Sequence, residues 1–168
     1  MQNIKEIYLA GGCFWGTEAF MQRIRGVIDA ESGYANGNTL NPTYQEVCKG
    51  SGHAEVVKVT YDADQIGLAK LLDYYFKVID PTSINQQGED KGIQYRTGIY
   101  YVDPADTAVI NQALAELQTQ YSEPLAVENA PLEHYFPAEE YHQDYLDKNP
   151  TGYCHIDIQL MNDILKNQ

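Results

Sequence analysis

The order of strand-like and helix-like patterns is the feature of this chain that most restricts its fold. Through residue 102, the apolar residues predict a strand, a helix, two strands, a helix and a strand. The strand-like segments run from Ile4 to Ala10, Val27 to Tyr34, Ala54 to Tyr61 and Thr97 to Val102. This order is the split βαβ pattern. We therefore expect an α/β (α+β) fold, a two-layer α/β sandwich with a ferredoxin-like core.

Helical spacing identifies the two helices that connect these strands. Apolar residues recur about every 3.6 residues in two stripes. Their members are Phe20, Met21, Ile24, Val27 and Ile28 in the first, and Leu68, Leu72, Tyr75, Phe76 and Ile79 in the second. We expect Gly26 to end the first helix early. We expect Asp80-Pro81 to stop the second, because a residue before proline disfavours the helical conformation.

The rest of the chain is less regular. Residues 35–53 and 81–95 are rich in Gly and polar residues and predict two long loops, which in compact domains are usually functional or disordered. The part after residue 102 predicts a helix from Asp103-Pro104, a short strand from Leu125 to Asn129, a helix from Pro137 to about Tyr145, and an irregular C-terminal tail over 149–168.

Length and charge restrict the class of protein. The 168 residues suit a single domain spanning 1–168. The formal net charge of −13 makes nucleic acid or an anionic membrane an unlikely partner. Neither a signal peptide nor an 18-residue apolar run is visible, so we expect a soluble, cytoplasmic protein. We also expect a monomer.

Three cysteines bring the first chemical candidates. An odd number of widely spaced cysteines is a poor disulfide framework, and the chain contains no CxxC pair. Cys13 follows Gly11-Gly12 at the junction between a strand and a helix. The unpaired N–H groups and the dipole at a helix N-terminus favour a thiolate. The alternative, a buried cysteine that acts as a small apolar side chain, is equally open from position alone.

Glu55 is the second candidate. Side chains alternate along a strand, so Glu55 shares the apolar face with Val57, Val59 and Tyr61. A carboxyl group at the end of a buried face has a raised pKa and can donate a proton near neutral pH. The alternative is that Glu55 lies at a fraying strand end and reaches solvent.

The neighbouring aromatic and polar residues are ambiguous from sequence. Phe14 and Trp15 suit the wall of a small apolar pocket, although such residues are more often core. Tyr44, Asp90 and Tyr95 lie in or beside the predicted loops and suit either a site or ordinary turn and core roles.

The other two cysteines differ in their setting. Cys48 lacks enough nearby ligands for a metal site, so we expect it to be structural and expect no metal. Cys154 lies in a Gly-rich stretch, where a mobile thiol can reach another thiol. The alternative is a cysteine with no role in the chemistry.

Together, these residues resemble the signature of the peptide methionine sulfoxide reductase A family, over nearly the whole chain and in order. The matching motifs are Gly12-Cys13-Phe14-Trp15-Gly16, Gly33-Tyr34-Ala35, Pro42-Thr43-Tyr44-Gln45-Glu46-Val47-Cys48, Gly52-His53-Ala54-Glu55, Asp80-Pro81-Thr82, Gln87-Gly88 with Asp90, Gly92-Ile93-Gln94-Tyr95-Arg96, Ala138-Glu139-Glu140-Tyr141-His142-Gln143 and Asn149-Pro150-Thr151-Gly152-Tyr153-Cys154.

The resemblance implies a role for each matching residue. Cys13 is the nucleophile that attacks the sulfoxide sulfur, and Cys154 resolves the resulting sulfenic acid. Glu55 is the acid, and Phe14 and Trp15 enclose the substrate methyl group. The residues that complete the oxygen side are Tyr44 and Tyr95, which hold the sulfoxide oxygen, and Asp90, which supports the site through hydrogen bonds.

The resemblance also implies the reaction and the partners. Family members reduce the S epimer of methionine sulfoxide, free or in proteins, and thioredoxin reduces the enzyme. No metal or organic cofactor is needed, because thiols carry the electrons.

Two other functions stay open at this point. A cysteine hydrolase needs a histidine base near Cys13, which His53, His134 or His142 can supply. A non-catalytic module that binds oxidised methionine is the second alternative.

Overall fold

The computed structural model describes residues 3–87, 90–149 and 158–166, with the side chain of residue 158 left out. The core consists of β1 (Ile4–Ala10), α1 (Phe14–Gln22), β2 (Val27–Ala35), β3 (Ala54–Asp62), α3 (Leu68–Phe76) and β6 (Gly98–Tyr101). The short elements between them are α2 (Tyr44–Cys48), β4 (Gln86–Gln87), β5 (Asp90–Lys91) and a 3-10 turn at Ile93–Tyr95.

The C-terminal part adds smaller elements to this core. They are α4 (Asp106–Gln118), β7 (Glu128–Pro131), β8 (Tyr135–Pro137), a 3-10 turn at Glu140–His142, α5 (Tyr145–Lys148) and α6 (Ile158–Lys166). Among the described residues, no helix is both long and apolar enough to cross a membrane.

The main sheet has six strands in the order β7-β6-β1-β3-β2-β8. All neighbouring pairs are antiparallel except β6 and β7, which are parallel. The inner order β6-β1-β3-β2 is that of a ferredoxin-like split βαβ unit, so the structure confirms the predicted fold class.

Both faces of the sheet are buried, but to different depths. The face that carries Ile7, Leu9, Val57 and Val59 forms the large core with the helices. The opposite face holds a smaller cluster around Tyr8, covered by side chains from the segment 130–135. Successive residues of each strand alternate between the two faces, which explains why neighbouring residues belong to different clusters.

The boundaries outside the core differ from the predictions. Helix α1 begins at Phe14 and ends at Gln22, so its apolar stripe extends beyond the helix into β2. The predicted loop at 35–53 contains α2, which begins with a capping box in which Thr43 and Glu46 bond each other's backbone N–H groups. The loop at 81–95 contains the β4–β5 hairpin and a 3-10 turn.

Two C-terminal predictions were wrong. The segment from Pro137 to Tyr145 is not one helix, because Ala138 donates its N–H to Ser32 and the left-handed Asp144 interrupts the backbone. The tail predicted as irregular is helical over its described part, 158–166, where Met161 is buried against the core. Packing of this apolar residue against the core stabilises the helix, as is usual for short helices.

Candidate active site

The sheet register places Cys13 beside the beginning of β3. Antiparallel pairing sets Ala10, the last residue of β1, opposite Val56. The chain then turns at Gly12, which has a φ of 72° and donates its N–H to the Tyr95 carbonyl at 3.1 Å. Glycine adopts this left-handed conformation without steric cost. Cys13, only 5% exposed, therefore lies between the end of the central strand β1 and the beginning of α1.

Two carboxyl groups meet the N-terminal end of α1. The backbone N–H of Cys13 donates to Asp90 Oδ2 at 3.0 Å, and that of Phe14 donates to Glu55 Oε1 at 3.1 Å. The first N–H groups of a helix have no partner inside the helix, so these two contacts satisfy them. The same contacts position both acids next to the Cys13 backbone at the positive end of the helix.

Glu55 is buried with an oxygen that is not satisfied. Its side chain is 1% exposed, and its Oε2 atom has no hydrogen-bond partner among the described residues. Burial raises the pKa of Glu55 to about 8, the hydrogen bond from Phe14 opposes this rise, and the charge of Asp90 adds to it. The carboxyl group therefore carries a proton at neutral pH. The buried face predicted from strand alternation is confirmed, and the solvent-exposed alternative is wrong.

Two tyrosines lie close enough to Glu55 for its charge to change the pKa of their phenols. Burial raises the pKa of both the Tyr44 and the Tyr95 phenol, and the carboxylate of Glu55 raises it further. Both phenols therefore stay protonated and available as hydrogen-bond donors. The structure thus brings Tyr44 and Tyr95 from two separate loops to the side of the site where Glu55 lies.

A cluster of aromatic rings adjoins Cys13 at the beginning of α1. Phe14 is fully buried and lies 5.7 Å from Tyr34, measured between ring centroids. Trp15 is partly buried and stacks on Tyr145, with 3.7 Å between centroids and 10° between planes. Its indole Nε1–H donates to His142 Nδ1 at 3.0 Å. Phe14 is therefore held by packing in the core, whereas Trp15 is held by a stacking contact and a hydrogen bond.

A C-terminal segment, which we call the strap and which comprises residues 138–145, packs against these rings. Glu139 of the strap accepts the Tyr34 hydroxyl at 2.7 Å and the Tyr44 backbone N–H at 3.0 Å. His142 and Tyr145 hold Trp15. Reasoning from residue patterns missed the strap, although one of the family motifs, Ala138 to Gln143, lies in it.

The remaining cysteines lie in different settings. Cys48 is an exposed residue of α2. Burial of part of its side chain raises the pKa of its thiol, and a hydrogen bond with Tyr44 opposes this rise. Cys154 lies outside the described residues, in the stretch 150–157. Within the described residues, no group of three or more His, Cys, Asp or Glu side chains is arranged to hold a metal ion.

Comparison with known proteins gives the family. The family model described as peptide methionine sulfoxide reductase matches residues 5–168. The chain belongs to this family. A peptide methionine sulfoxide reductase MsrA from Lachnoclostridium phytofermentans is 58% identical over 153 residues, covering 90% of this chain and 92% of that protein.

Solved structures agree with this assignment. The reduced form of Mxr1 from Saccharomyces cerevisiae is 40% identical, has a TM-score of 0.86, and covers 90% of this chain and 88% of that chain. The structure of the same yeast protein in complex with Trx2 is 26% identical, with a TM-score of 0.61 and coverage of 84% for each chain.

Membership of the family makes the protein an oxidoreductase that acts on methionine sulfoxide. The cysteine hydrolase and the non-catalytic module are therefore wrong. The surroundings of two histidines fit this outcome, because His142 accepts the Trp15 indole N–H and His53 is hydrogen-bonded to Ser51 at 2.8 Å.

Proposed function

We propose that Cys13 and Glu55 carry out the reduction of the S epimer of methionine sulfoxide, free or in proteins. The observation that carries this proposal is the buried Glu55 carboxyl group. It is protonated at neutral pH, has one unsatisfied oxygen, and bonds the helix N-terminus that directly follows Cys13. A proton donor beside a nucleophilic thiol is what cleavage of a sulfoxide S–O bond requires.

The reductive step is balanced by these two groups. The thiolate of Cys13 attacks the electrophilic sulfur while Glu55 donates its proton to the oxygen. The S–O bond of the substrate breaks, methionine leaves, and the oxygen is retained on Cys13 as a sulfenic acid. The sulfur of Cys13 is oxidised by two electrons and the substrate sulfur is reduced by two.

The protonation state of Glu55 serves both halves of this step. A neutral Glu55 has a proton to give, and it places no negative charge next to the thiolate of Cys13. The charge of Asp90 helps to keep Glu55 protonated. Asp90 also accepts the Cys13 N–H, so it supports the site without contacting the substrate in this scheme.

Substrate recognition divides between the two sides of the site. Phe14 and Trp15 enclose the methyl group through apolar contact. The phenols of Tyr44 and Tyr95, together with Glu55, hold the sulfoxide oxygen as hydrogen-bond donors. Support comes from the raised pKa of both phenols, which keeps their protons in place.

Regeneration requires a second thiol and a reductant. Cys154 attacks the sulfenic acid of Cys13, which forms a disulfide and releases water. Thioredoxin then reduces the disulfide. The yeast relative seen in complex with Trx2 supports this partner.

We further propose that residues 1–168 form one catalytic domain that works as a cytoplasmic monomer without metal or organic cofactor. The continuous apolar core, in which residues from α1, β3, α4 and α6 pack together, supports the single domain. The thiols named above supply every electron that the reaction needs. The formal net charge of −13 supports the absence of a nucleic acid or membrane partner.

The first test is single-turnover reduction of separated R and S epimers by the purified protein. We expect one equivalent of methionine from the S epimer and none from the R epimer. Cys13→Ser should abolish turnover, because a hydroxyl group is far less ionised and cannot form a sulfenic acid. Substantial reduction by Cys13→Ser is the result that would overturn the proposal.

The second test separates the chemical step from regeneration. Cys154→Ser should still form one equivalent of methionine without reductant, with a sulfenic acid trapped on Cys13. Turnover with thioredoxin should collapse, whereas dithiothreitol should rescue turnover by reducing the sulfenic acid directly. Normal thioredoxin-driven cycling by Cys154→Ser would assign the resolving role to another thiol.

A further inference from the structure

His142 is a buried histidine that the proposed mechanism does not use. It is 2% exposed and lies in the strap, 127 positions from Trp15 in the sequence. Its Nδ1 atom accepts the indole N–H of Trp15 at 3.0 Å. The ring therefore has to be neutral with its proton on Nε2, because a protonated Nδ1 cannot accept a hydrogen bond.

The surroundings of His142 favour this neutral tautomer. Burial lowers the pKa of His142, and only the charge of Glu139 opposes that shift. The Nε2 atom is buried without a hydrogen-bond partner among the described residues. Among the described residues, the bond to Trp15 is thus the one side-chain hydrogen bond that orients the imidazole, and the same bond orients the indole.

His142 also contacts the other rings of the site. Its ring centroid is 5.2 Å from that of Phe14 and 4.4 Å from that of Tyr44. Trp15 stacks on Tyr145, the third residue after His142, so the strap holds the indole by its edge and by its face. A side chain with one fixed edge and one fixed face has no free rotation about its χ angles.

From this geometry we propose that His142 is a positioning residue for substrate binding, which acts by fixing the indole of Trp15 in the orientation that closes the pocket for the sulfoxide methyl group. The inference rests on the proposed role of Trp15. The imidazole does not touch the reacting atoms in this scheme. Its loss should therefore weaken substrate binding more than it slows the chemical step.

The test compares two replacements of His142 that differ in what they preserve. His142→Phe keeps a planar ring of similar size but cannot accept a hydrogen bond, whereas His142→Asn is smaller but places an acceptor oxygen near the position of Nδ1. In single-turnover assays on the S epimer, we expect His142→Phe to raise KM about tenfold or more, with the rate at saturation within about threefold of wild type. His142→Asn should restore KM to within about threefold.

Fluorescence provides a readout without substrate. Trp15 is the only tryptophan of the chain, so its emission reports this one side chain. Time-resolved anisotropy of His142→Phe should gain a fast depolarising component that is absent from the wild type and from His142→Asn. The matched control is His134→Asn, because His134 lies beside His53 and Phe136 rather than at Trp15, and this variant should match the wild type in both assays.

Two outcomes would overturn the inference. One is wild-type KM and anisotropy in His142→Phe, which would mean that the ring serves only for packing. The other is a fall in the saturated rate of His142→Phe with unchanged KM. Failure of the proposed function would appear elsewhere, as turnover by Cys13→Ser, and would leave the anisotropy result unaffected.

A further variant covers the case in which substitutions of His142 do not fold. Replacement of the Trp15 indole by its benzothiophene analogue exchanges the N–H group for sulfur and leaves His142 in place. This change should raise KM to the same extent as His142→Phe. An unchanged KM in the analogue would also overturn the inference, because the hydrogen bond would then contribute nothing to binding.

Discussion

Two buried glutamates differ in how their oxygens are used: Glu55 of β3 contacts the N-terminal end of α1, and Glu18 belongs to α1 itself. Glu55 and Glu18 are both 1% exposed. Glu55 accepts one backbone N–H and leaves Oε2 without a partner among the described residues. Glu18 accepts hydrogen bonds on both oxygens, from the Ser32 N–H and hydroxyl at 3.1 and 2.9 Å and from the Asp144 N–H at 2.6 Å.

The difference suggests how the proposed reactive acid is distinguished from a structural one. Burial raises both pKa values, to about 8 for Glu55 and about 7 for Glu18, and in Glu18 the hydrogen bonds from Ser32 and Asp144 oppose the rise. Equal burial alone therefore does not identify the acid. The unsatisfied oxygen favours Glu55, because both oxygens of Glu18 already accept hydrogen bonds from protein donors.

The largest expected effect tests the reactive member of the pair. Glu55→Gln preserves shape and the acceptor for the Phe14 N–H but cannot donate a carboxyl proton. We expect the single-turnover rate of the reductive step to fall by about 10²–10⁴. The measurement is rapid-quench formation of methionine at saturating S epimer. A rate within about threefold of wild type would show that another group supplies the proton.

The structural member should affect stability instead. Glu18→Ala removes the acceptor of three hydrogen bonds, two of them buried, and leaves a cavity between α1 and the strap, so the free energy of unfolding should fall by about 2–4 kcal/mol. Urea denaturation measures this, with the exposed Glu123→Ala as the matched control. The rate of the reductive step at saturation should remain near that of the wild type. A rate loss as large as that of Glu55→Gln would end the distinction between the two acids.

The pH dependence of stability sharpens the comparison further. The folded state holds the Glu55 proton more tightly than the unfolded chain, so the stability contributed by this group is complete below its ordinary pKa of 4.5 and is lost as the pH rises toward about 8. Glu55→Gln has no such dependence. Its free energy of unfolding should therefore gain about 4 kcal/mol relative to wild type between about pH 4 and pH 8. Parallel stability curves for the two proteins would contradict a raised pKa.

Asp90 tests how much a neighbouring charge contributes to the state of Glu55. Asp90→Asn keeps an acceptor for the Cys13 N–H but removes a charge that raises the pKa of Glu55. The alkaline limb of the single-turnover rate profile should move to lower pH, with a loss of about two- to tenfold near pH 8. The exposed Asp64→Asn serves as the control. A limb that moves to higher pH would reverse the assigned sign of the interaction.

The smallest effect is expected at Cys48, an exposed thiol near Tyr44. Cys48→Ala should leave the reductive rate and thioredoxin-supported turnover within about twofold of wild type, because burial rather than this thiol dominates the pKa of Glu55. The assay is steady-state turnover with thioredoxin. Loss of that turnover in a folded protein would make Cys48 a redox residue.

Periodicity was sufficient for the parts of this protein that depend on local geometry. The alternation of apolar residues predicted the four core strands and the face on which Glu55 lies, because side-chain direction in a strand depends only on position. The Gly-Gly turn predicted that Cys13 precedes a helix. These features need no knowledge of distant residues. The short elements in the two loops and the helix at 158–166 escaped prediction, since packing and caps decide such short segments.

Local sequence patterns were thus enough to predict the split βαβ core, the candidate nucleophile and the candidate acid, whereas their surroundings depend on contacts between distant parts of the chain. The contact of Asp90 with Cys13 joins residues 77 positions apart, and that of His142 with Trp15 joins residues 127 positions apart. Local sequence patterns cannot predict contacts between residues so far apart in the chain. Whether a buried carboxyl group accepts one hydrogen bond or three is likewise a property of the assembled neighbours, and in this protein it separates Glu55 from Glu18.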